Sequence, residues 1–352
     1  MDDDLEAILM LVRTQGVGPR TYLQWMREFS NAREVISKNP KNLKFPEIAS
    51  IQEEMRRVQK FGARMISIHS PLYPPCLKEI HAPPIVLTVK GNVELLLRPS
   101  VGIVGARNAS SMGKVLTKNI SKTLGENGFV VTSGLARGID AAAHQGAMET
   151  GTMGVIGGGI NVFYPQENKG LQEEICEKGL VISIFAFGEQ PTATHFPKRN
   201  HIISGLSKGI VVVEAALKSG SLITANAALE QNREVMAVPG SPLDPRCQGT
   251  NKLLKDGAVL IENGEDVLQA LGIESLKTLK NPKKPIKTQG TPPETTTTQA
   301  LLENLSYTPI PLDQLIKDAG TSPHIVHGIL LELELEDKIE RHPGNKISLK
   351  MT

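Results

Sequence analysis

Five short segments carry the residues with chemistry to offer. IVGARNASSMG, from Ile103 to Gly113, sets Arg107 inside a glycine-bearing turn that leads to Ser110 and Ser111. SGLARGIDAAAH, from Ser133, brackets Arg137 between Gly134 and Gly138, ahead of Asp140 and His144. GGGINVFYPQEN starts at Gly157, and FPKRN puts Phe196 beside Lys198, Arg199 and Asn200. SGSLITA supplies Ser219, Gly220, Ser221 and Thr224. Arginine presents a planar fork of donors that suits phosphate oxygens. Gly105 permits close backbone approach, and helix starts opened by serine and glycine bind anions through unpaired N–H groups and the helix dipole. Phe196 has a face on which a base can stack. The chemistry expected is anion binding, with Arg107 at its centre.

Other groups read two ways. Asp140 fits a helix cap after Gly138 as well as a ligand, and His144 fits a packed histidine as well as a general base. Glu214, at the end of an apolar run, suits either catalysis or the holding of a neighbouring loop. Three nucleotide signatures are absent. There is no G-x-x-x-x-G-K-[ST] loop for a triphosphate. No G-x-G-x-x-G follows the first strand with an acidic residue placed for a ribose. No H-E-x-x-H or cysteine–histidine cluster suggests a metal. This argues against an ATPase, a nicotinamide enzyme or a metalloenzyme, and no cofactor is expected.

The elements that must position these residues follow from the periodicity. Residues 1–60 read as helical, with Leu5, Ile8, Leu9 and Val12 at helical spacing and a turn at Gly16-Val17-Gly18-Pro19. That turn resembles a helix-hairpin-helix, whose amides hold a DNA phosphate, but with only Arg13 and Arg20 as basic flanks a plain corner between two helices is the favoured reading. From residue 61 the pattern becomes short β-branched runs, at Met65–His69 and Val86–Val89. Further runs begin at Val101, Phe129, Thr152, Leu180, Gly209, Glu234 and Ala258. Helix-length segments separate the later runs, repeating every ~25–30 residues as β-α units do. Near-continuous apolar strands suit a sheet covered on both faces. A Rossmann-like, doubly wound, mostly parallel α/β sheet is therefore expected over 61–272. Its carboxyl edge is where such sheets bind ligands.

Residues 273–298, with five lysines, four prolines and a threonine run, have linker composition. Residues 299–352 read as helix, helix–turn–helix and a β-wing around Pro343-Gly344, a winged-helix pattern. The helix expected from His324 to Glu336 carries Glu332, Glu334 and Glu336. These acidic groups oppose phosphate and favour a protein-contact or structural role for the module.

At 352 residues the chain is long enough for two or three domains. Its formal net charge of +2 requires any nucleic-acid site to be a local patch. Three widely spaced cysteines give no disulfide framework and fit a reducing cytosol. The acidic start MDDDLEAILMLV is unlike a signal peptide, and no apolar run reaches the ~18–20 residues of a membrane span. A cytoplasmic protein with no membrane partner is expected.

Taken together, the motifs resemble those of the DNA-processing protein A (DprA/Smf) family. VGARNASSMG, SGLARGIDAAAH, GTMGVIGGGINVFYPQEN, FPKRNHIISGLS, EAALKSGSLITANAALE and PGSPLDPRCQGTNKLLKDGA stand in that family's order. The match is strongest over 70–272. It extends to a SAM/helix-hairpin-helix-like domain before, at 1–60, and a winged helix after. The resemblance implies a homodimer that binds and protects incoming single-stranded DNA. It also implies loading of a RecA-type recombinase during natural transformation, without cofactor or turnover. Carried onto matching positions, the DNA contacts fall on Gly105, Ala106 and Arg107, on Phe196 and Asn200, and on Ser219, Gly220 and Ser221. Arg137, Lys198 and Arg199 join them as cations of the same loops.

The chain departs from the family where some members carry a lysine three residues before the phenylalanine (here Ala193). Others have a basic residue after Tyr-Pro, where Gln166 stands, and an arginine where His201 stands. The acidic residue that often follows the serine near 183 is Ile184. A weaker basic groove and weaker salt dependence are expected, with Lys198 and Arg199 in position to compensate. The rival reading is a nucleoside-monophosphate phosphoribohydrolase of the "lonely guy" type on a related sheet. Such enzymes carry P-G-G-x-G-T-x-x-E. The stretch from Ser219 to Asn226 lacks the glutamate, and base release from adenosine monophosphate discriminates the two. A third reading makes the chain chiefly an adaptor for a recombinase.

Overall fold

The computed structural model describes residues 4–273 and, further on, residues 301, 305, 310–319, 323–336, 338–344 and 346–350. Contacts divide the chain into two compact units, Met1–Pro282 and Lys283–Thr352. Of the expected linker only Ile273 is described, and of the helix expected over 300–305 only Leu301 and Leu305.

The first unit opens with four helices, α1 (Leu5–Arg13), α2 (Pro19–Glu28), α3 (Ala32–Lys38) and α4 (Ile48–Lys60). The glycine turn between α1 and α2 works as a corner, with Gly16 at φ +86° and Pro19 at the first helical position. Strands follow in the order expected: β1 (Arg64–Ser67), β2 (Val86–Gly91), β3 (Ser100–Val104), β4 (Val130–Ser133) and β5 (Thr152–Val155). After them come β6 (Leu180–Ser183), β7 (Gly209–Val212), β8 (Glu234–Ala237) and β9 (Val259–Leu260). Between them lie α5 (Pro75–Lys78), α6 (Ser111–Glu126), α7 (Ile139–Ala147), α8 (Lys169–Lys178), α9 (His195–Leu206), α10 (Gly220–Glu230) and α11 (Gln248–Lys255). The helix α12 (Gly264–Ala270) comes after β9.

The nine strands lie in the order β1-β2-β6-β5-β4-β3-β7-β8-β9. From β6 to β9 every neighbouring pair is parallel, and β2 joins β6 and β1 antiparallel. The sequence leaves β3 for β4 on one side and later resumes on the other side with β7, which pairs Gly102 with Ile210 and Val104 with Val212. That reversal is the switch point at which a crevice opens beyond the strand ends.

Alternate residues of these strands enter opposite cores. Val101, Ile103, Val131 and Val211 pack with Ile120, Leu124 and Leu268 on one face. Val104, Val130, Ile210 and Val212 belong to the other core, together with Leu9, Leu11, Tyr22 and Trp25 of the helical segment. Each fully buried aliphatic side chain contributes about 1.5–3 kcal/mol, so two-sided burial holds the strand ends rigidly. Residues 4–60 are thus built into the α/β core.

In the second unit, helices Leu312–Ala319 and Pro323–Leu335 precede a hairpin of Ile339–His342 and Lys346–Leu349. These are the expected pair of helices and the wing; the expected turn at Thr321 and Ser322 lies outside the described residues. A two-residue strand, Ile310–Pro311, adds to the hairpin, which the sequence did not reveal. Leu312, Leu315, Val326, Leu330, Ile339 and Ile347 form its core. The acidic residues of the last helix are exposed. Glu334 meets Arg341 at 2.9 Å, and Glu336 meets Lys338 at 2.6 Å.

Candidate nucleic-acid interface

Beyond β3 the chain turns at Gly105. A Cβ there would stand 2.6 Å from Ile139 Cγ1 and 3.0 Å from the Glu214 carbonyl oxygen, so glycine is required. The Ala106 carbonyl accepts the Ile139 N–H at 3.2 Å, tying this loop to the start of α7. Gly138, at φ +76°, lets the two loops touch, since a Cβ would come 2.2 Å from that carbonyl. Ser110 closes the loop. Its Oγ caps α6 by accepting the Gly113 N–H at 2.8 Å, and its own N–H and hydroxyl both donate to the Glu214 carboxylate.

Asp140 does not cap its own helix. Its carboxylate accepts the N–H groups of Gly134 at 3.1 Å and Ala136 at 3.4 Å, shaping the loop after β4, and lies 3.9 Å from Arg199 Nη1. Arg199 is only 6% exposed. It donates to Asn200 Oδ1 at 3.1 Å, while its Nε has no partner among the described residues. Asn200 in turn donates to the Gly220 carbonyl at 3.2 Å. Burial pushes the Asp140 carboxyl up and the Arg199 guanidinium down, and each is partly restored by the other's charge. His144 is a packed histidine: wholly buried, with Nδ1 at 2.7 Å from the Thr152 hydroxyl, and pushed by burial down to about 3.

At the start of α10, the Ser219 Oγ accepts the Ser221 N–H at 3.3 Å, and a Cβ on Gly220 would meet nothing within 4 Å. The helix N-terminus is open. It faces a cleft of about 400 Å³ at the switch point, lined by Gly105, Arg107, Phe196, Arg199, Asn200 and Ser219 to Ser221. Arg107 is exposed, and its guanidinium carbon lies 5.7 Å from the centroid of Phe196. Arg199 lies 5.9 Å from the same ring.

A second cleft, of about 420 Å³, shares Arg107, Ala136, Phe196 and Arg199 with the first. Arg137 belongs to this second cleft, where it faces Glu167 at 3.6 Å. Tyr164, Gln166 and Glu167 line it too. The Tyr164 ring sits 5.6 Å from that of Phe196, tilted by 43°. Sequence reasoning missed Tyr164. An aromatic pair directly after a glycine-rich strand end, Phe163-Tyr164, was the available signal. Lys198 is not brought to either cleft; it lines a third one with Gly18, Pro19 and His201, beside the helical segment. Ala106 contributes backbone only, through its carbonyl bond. Among the described residues no three His, Cys, Asp or Glu could hold a metal ion, and no helix is long and apolar enough to cross a membrane.

The doubly wound sheet thus carries, at its switch-point crevice, an exposed guanidinium, a helix N-terminus and a half-buried aromatic ring, groups whose chemistry suits phosphate and a stacked base. The family model for DNA recombination-mediator protein A matches residues 64–272. A DprA-like N-terminal HHH domain matches 2–55, and a DprA winged helix domain matches 285–345. The chain belongs to this DprA/Smf family of DNA-processing proteins. It is 46% identical over 215 residues to the DNA processing protein DprA of Streptococcus pneumoniae, covering 60% of this chain and 75% of the relative. It is 36% identical to the protein Smf of Escherichia coli, covering 88% and 83%. The solved S. pneumoniae DprA structure superposes with a TM-score of 0.60 at 42% identity, over 64% of this chain and 78% of that one. DNA processing protein A from Helicobacter pylori, solved for its single-stranded DNA binding mode, gives 0.54 at 29% identity, over 59% and 95%.

Proposed function

We propose that this chain binds single-stranded DNA along the switch-point clefts, acts without cofactor or turnover, and passes the strand to a RecA-type recombinase. The observation that carries this reading is the juxtaposition of Arg107 with Phe196 beside the open start of α10. The guanidinium and the α10 amides suit phosphates, and the ring suits a base. The H. pylori relative's single-stranded DNA binding supports the ligand, and membership of a recombination-mediator family supports the hand-over. Homodimerisation, which would align two such sites on one strand, comes with the same family reading. The Asp140 carboxylate in the first cleft is engaged by backbone N–H groups and that of Glu214 by Ser110, so neither is free for hydrolytic chemistry.

The test is a titration of labelled oligo-dT against duplex of equal length, repeated with Arg107→Glu. Single strands should bind in preference, with the variant at least about tenfold weaker and affinity falling as salt rises. Equal affinity of variant and parent would remove the site assignment. Recombinase loading is tested separately, by displacement of a single-strand binding protein in the presence and absence of this chain.

A further inference from the structure

The second cleft contains more than a phosphate track requires. Its inner wall is the Phe196 ring, with Tyr164 tilted against it. Two glycines make room for that ring and for the Arg199 guanidinium beside it. A Cβ on Gly157 would lie 3.2 Å from the ring of Phe196, and one on Gly134 would overlap the Arg199 guanidinium. At the mouth stand Arg137 and Glu167, 3.6 Å apart and each about three-fifths exposed, with side-chain accessibilities of 60% and 63%. A cleft of about 420 Å³ with an aromatic wall is large enough for one unstacked base.

The two groups at its mouth differ in kind. A guanidinium offers only donors, arranged as a fork, and a carboxylate offers only acceptors, also paired. Guanine alone among the four DNA bases has both counterparts. Its N1–H and 2-amino group are two parallel donors for a carboxylate, and its O6 and N7 are two neighbouring acceptors for an arginine fork. Adenine and cytosine offer a single amino donor group, and thymine a single N–H flanked by acceptors. A guanine would replace the solvated Arg137–Glu167 contact with two sets of charge-assisted bonds.

We infer that the second cleft is a base-reading subsite selective for guanine, with Glu167 and Arg137 as its specificity determinants. This rests on the single-stranded DNA reading above. It adds a base preference to binding that is otherwise neutral to sequence.

The test compares oligo-dT with the same strand carrying one central dG, dA or dC, by fluorescence anisotropy on the full chain. One guanine avoids self-association of the probe. The dG strand should bind about tenfold more tightly than oligo-dT, the low side of what a good bidentate contact contributes. Inosine lacks the 2-amino group and 7-deazaguanine lacks N7. Each should give up part of the gain, the first through Glu167 and the second through Arg137. In Glu167→Gln and in Arg137→Ala the ratio of dG to dT affinity should each time fall, and in the double variant it should reach about one. Both side chains are surface groups, so circular dichroism should show an unchanged fold. Equal binding of all four strands, or a dG preference undiminished in Glu167→Gln, overturns the inference and leaves single-strand binding standing. No binding to any single strand overturns both.

Discussion

Ser110 gives both its backbone N–H and its hydroxyl to the carboxylate of Glu214, the N–H at 2.9 Å, joining the loop after β3 to the end of β7. The two strands are neighbours in the sheet, while Ser110 and Glu214 lie 104 residues apart in the chain. Because Arg107 sits on that loop, Glu214 acts as a positioning residue for it. Glu214→Ala should lower stability by about 2 kcal/mol, the scale of a buried hydrogen bond to a charged group. It should also weaken oligo-dT binding without altering the salt slope, since no phosphate contact is removed. Urea denaturation and salt-dependent titrations measure the two effects, and a changed slope would place Glu214 in the interface itself.

Phe196 and Arg107 lie against one another yet should fail in different ways. Phe196→Ala should cost about 1–3 kcal/mol of single-strand affinity with the salt slope intact. Arg107→Ala should reduce the slope by about 0.7. A loss of slope in the phenylalanine variant would mean that its ring only props the arginine.

Asp140 and Arg199 form a buried pair whose carboxylate also shapes the loop after β4. Asp140→Ala leaves a guanidinium in the interior with no counter-charge and two amides without an acceptor. A loss of about 3 kcal/mol is expected in chemical denaturation. Asp140→Asn keeps oxygen for the amides and should lose less.

His144 makes stability depend on pH. Its folded value of about 3 lies below the ordinary 6.5, so between these values the unfolded chain binds a proton that the folded chain refuses. Its contribution is complete above the unfolded value and is lost as pH falls from 6.5 towards 3. From pH 7 to pH 5 the loss is about 2 kcal/mol. His144→Gln should flatten that part of the profile, as urea melts at the two pH values will show.

The alternating apolar runs and the glycine turns made the sheet and its ligand edge legible in the sequence. Arg107, Ser219 and Phe196 were legible because their chemistry lies in consecutive residues. Lys198, Arg199 and Asn200 were not separable, because neighbours on a helix point about 100° apart. The fold sends Lys198 to another cleft and buries Arg199 on Asp140. Tyr164 and Glu167 escaped notice because their partners come from elsewhere in the chain, Phe196 from the start of α9 and Arg137 from the loop after β4. Non-local pairing of that kind leaves no mark in local spacing.

The salt bridge of Arg13 with Glu54, at 2.8 Å, reaches further than the helical segment. Glu54 also accepts the N–H of Phe187 at 3.2 Å, in the connection that leads to α9 and Phe196. With Leu9, Leu11 and Tyr22 in the same core as β2 and β7, the first sixty residues are no detachable bead. Grafting another protein's leading segment onto this sheet would require matched surfaces on both sides of the joint. A change of shape on one side of that joint would be felt on the other.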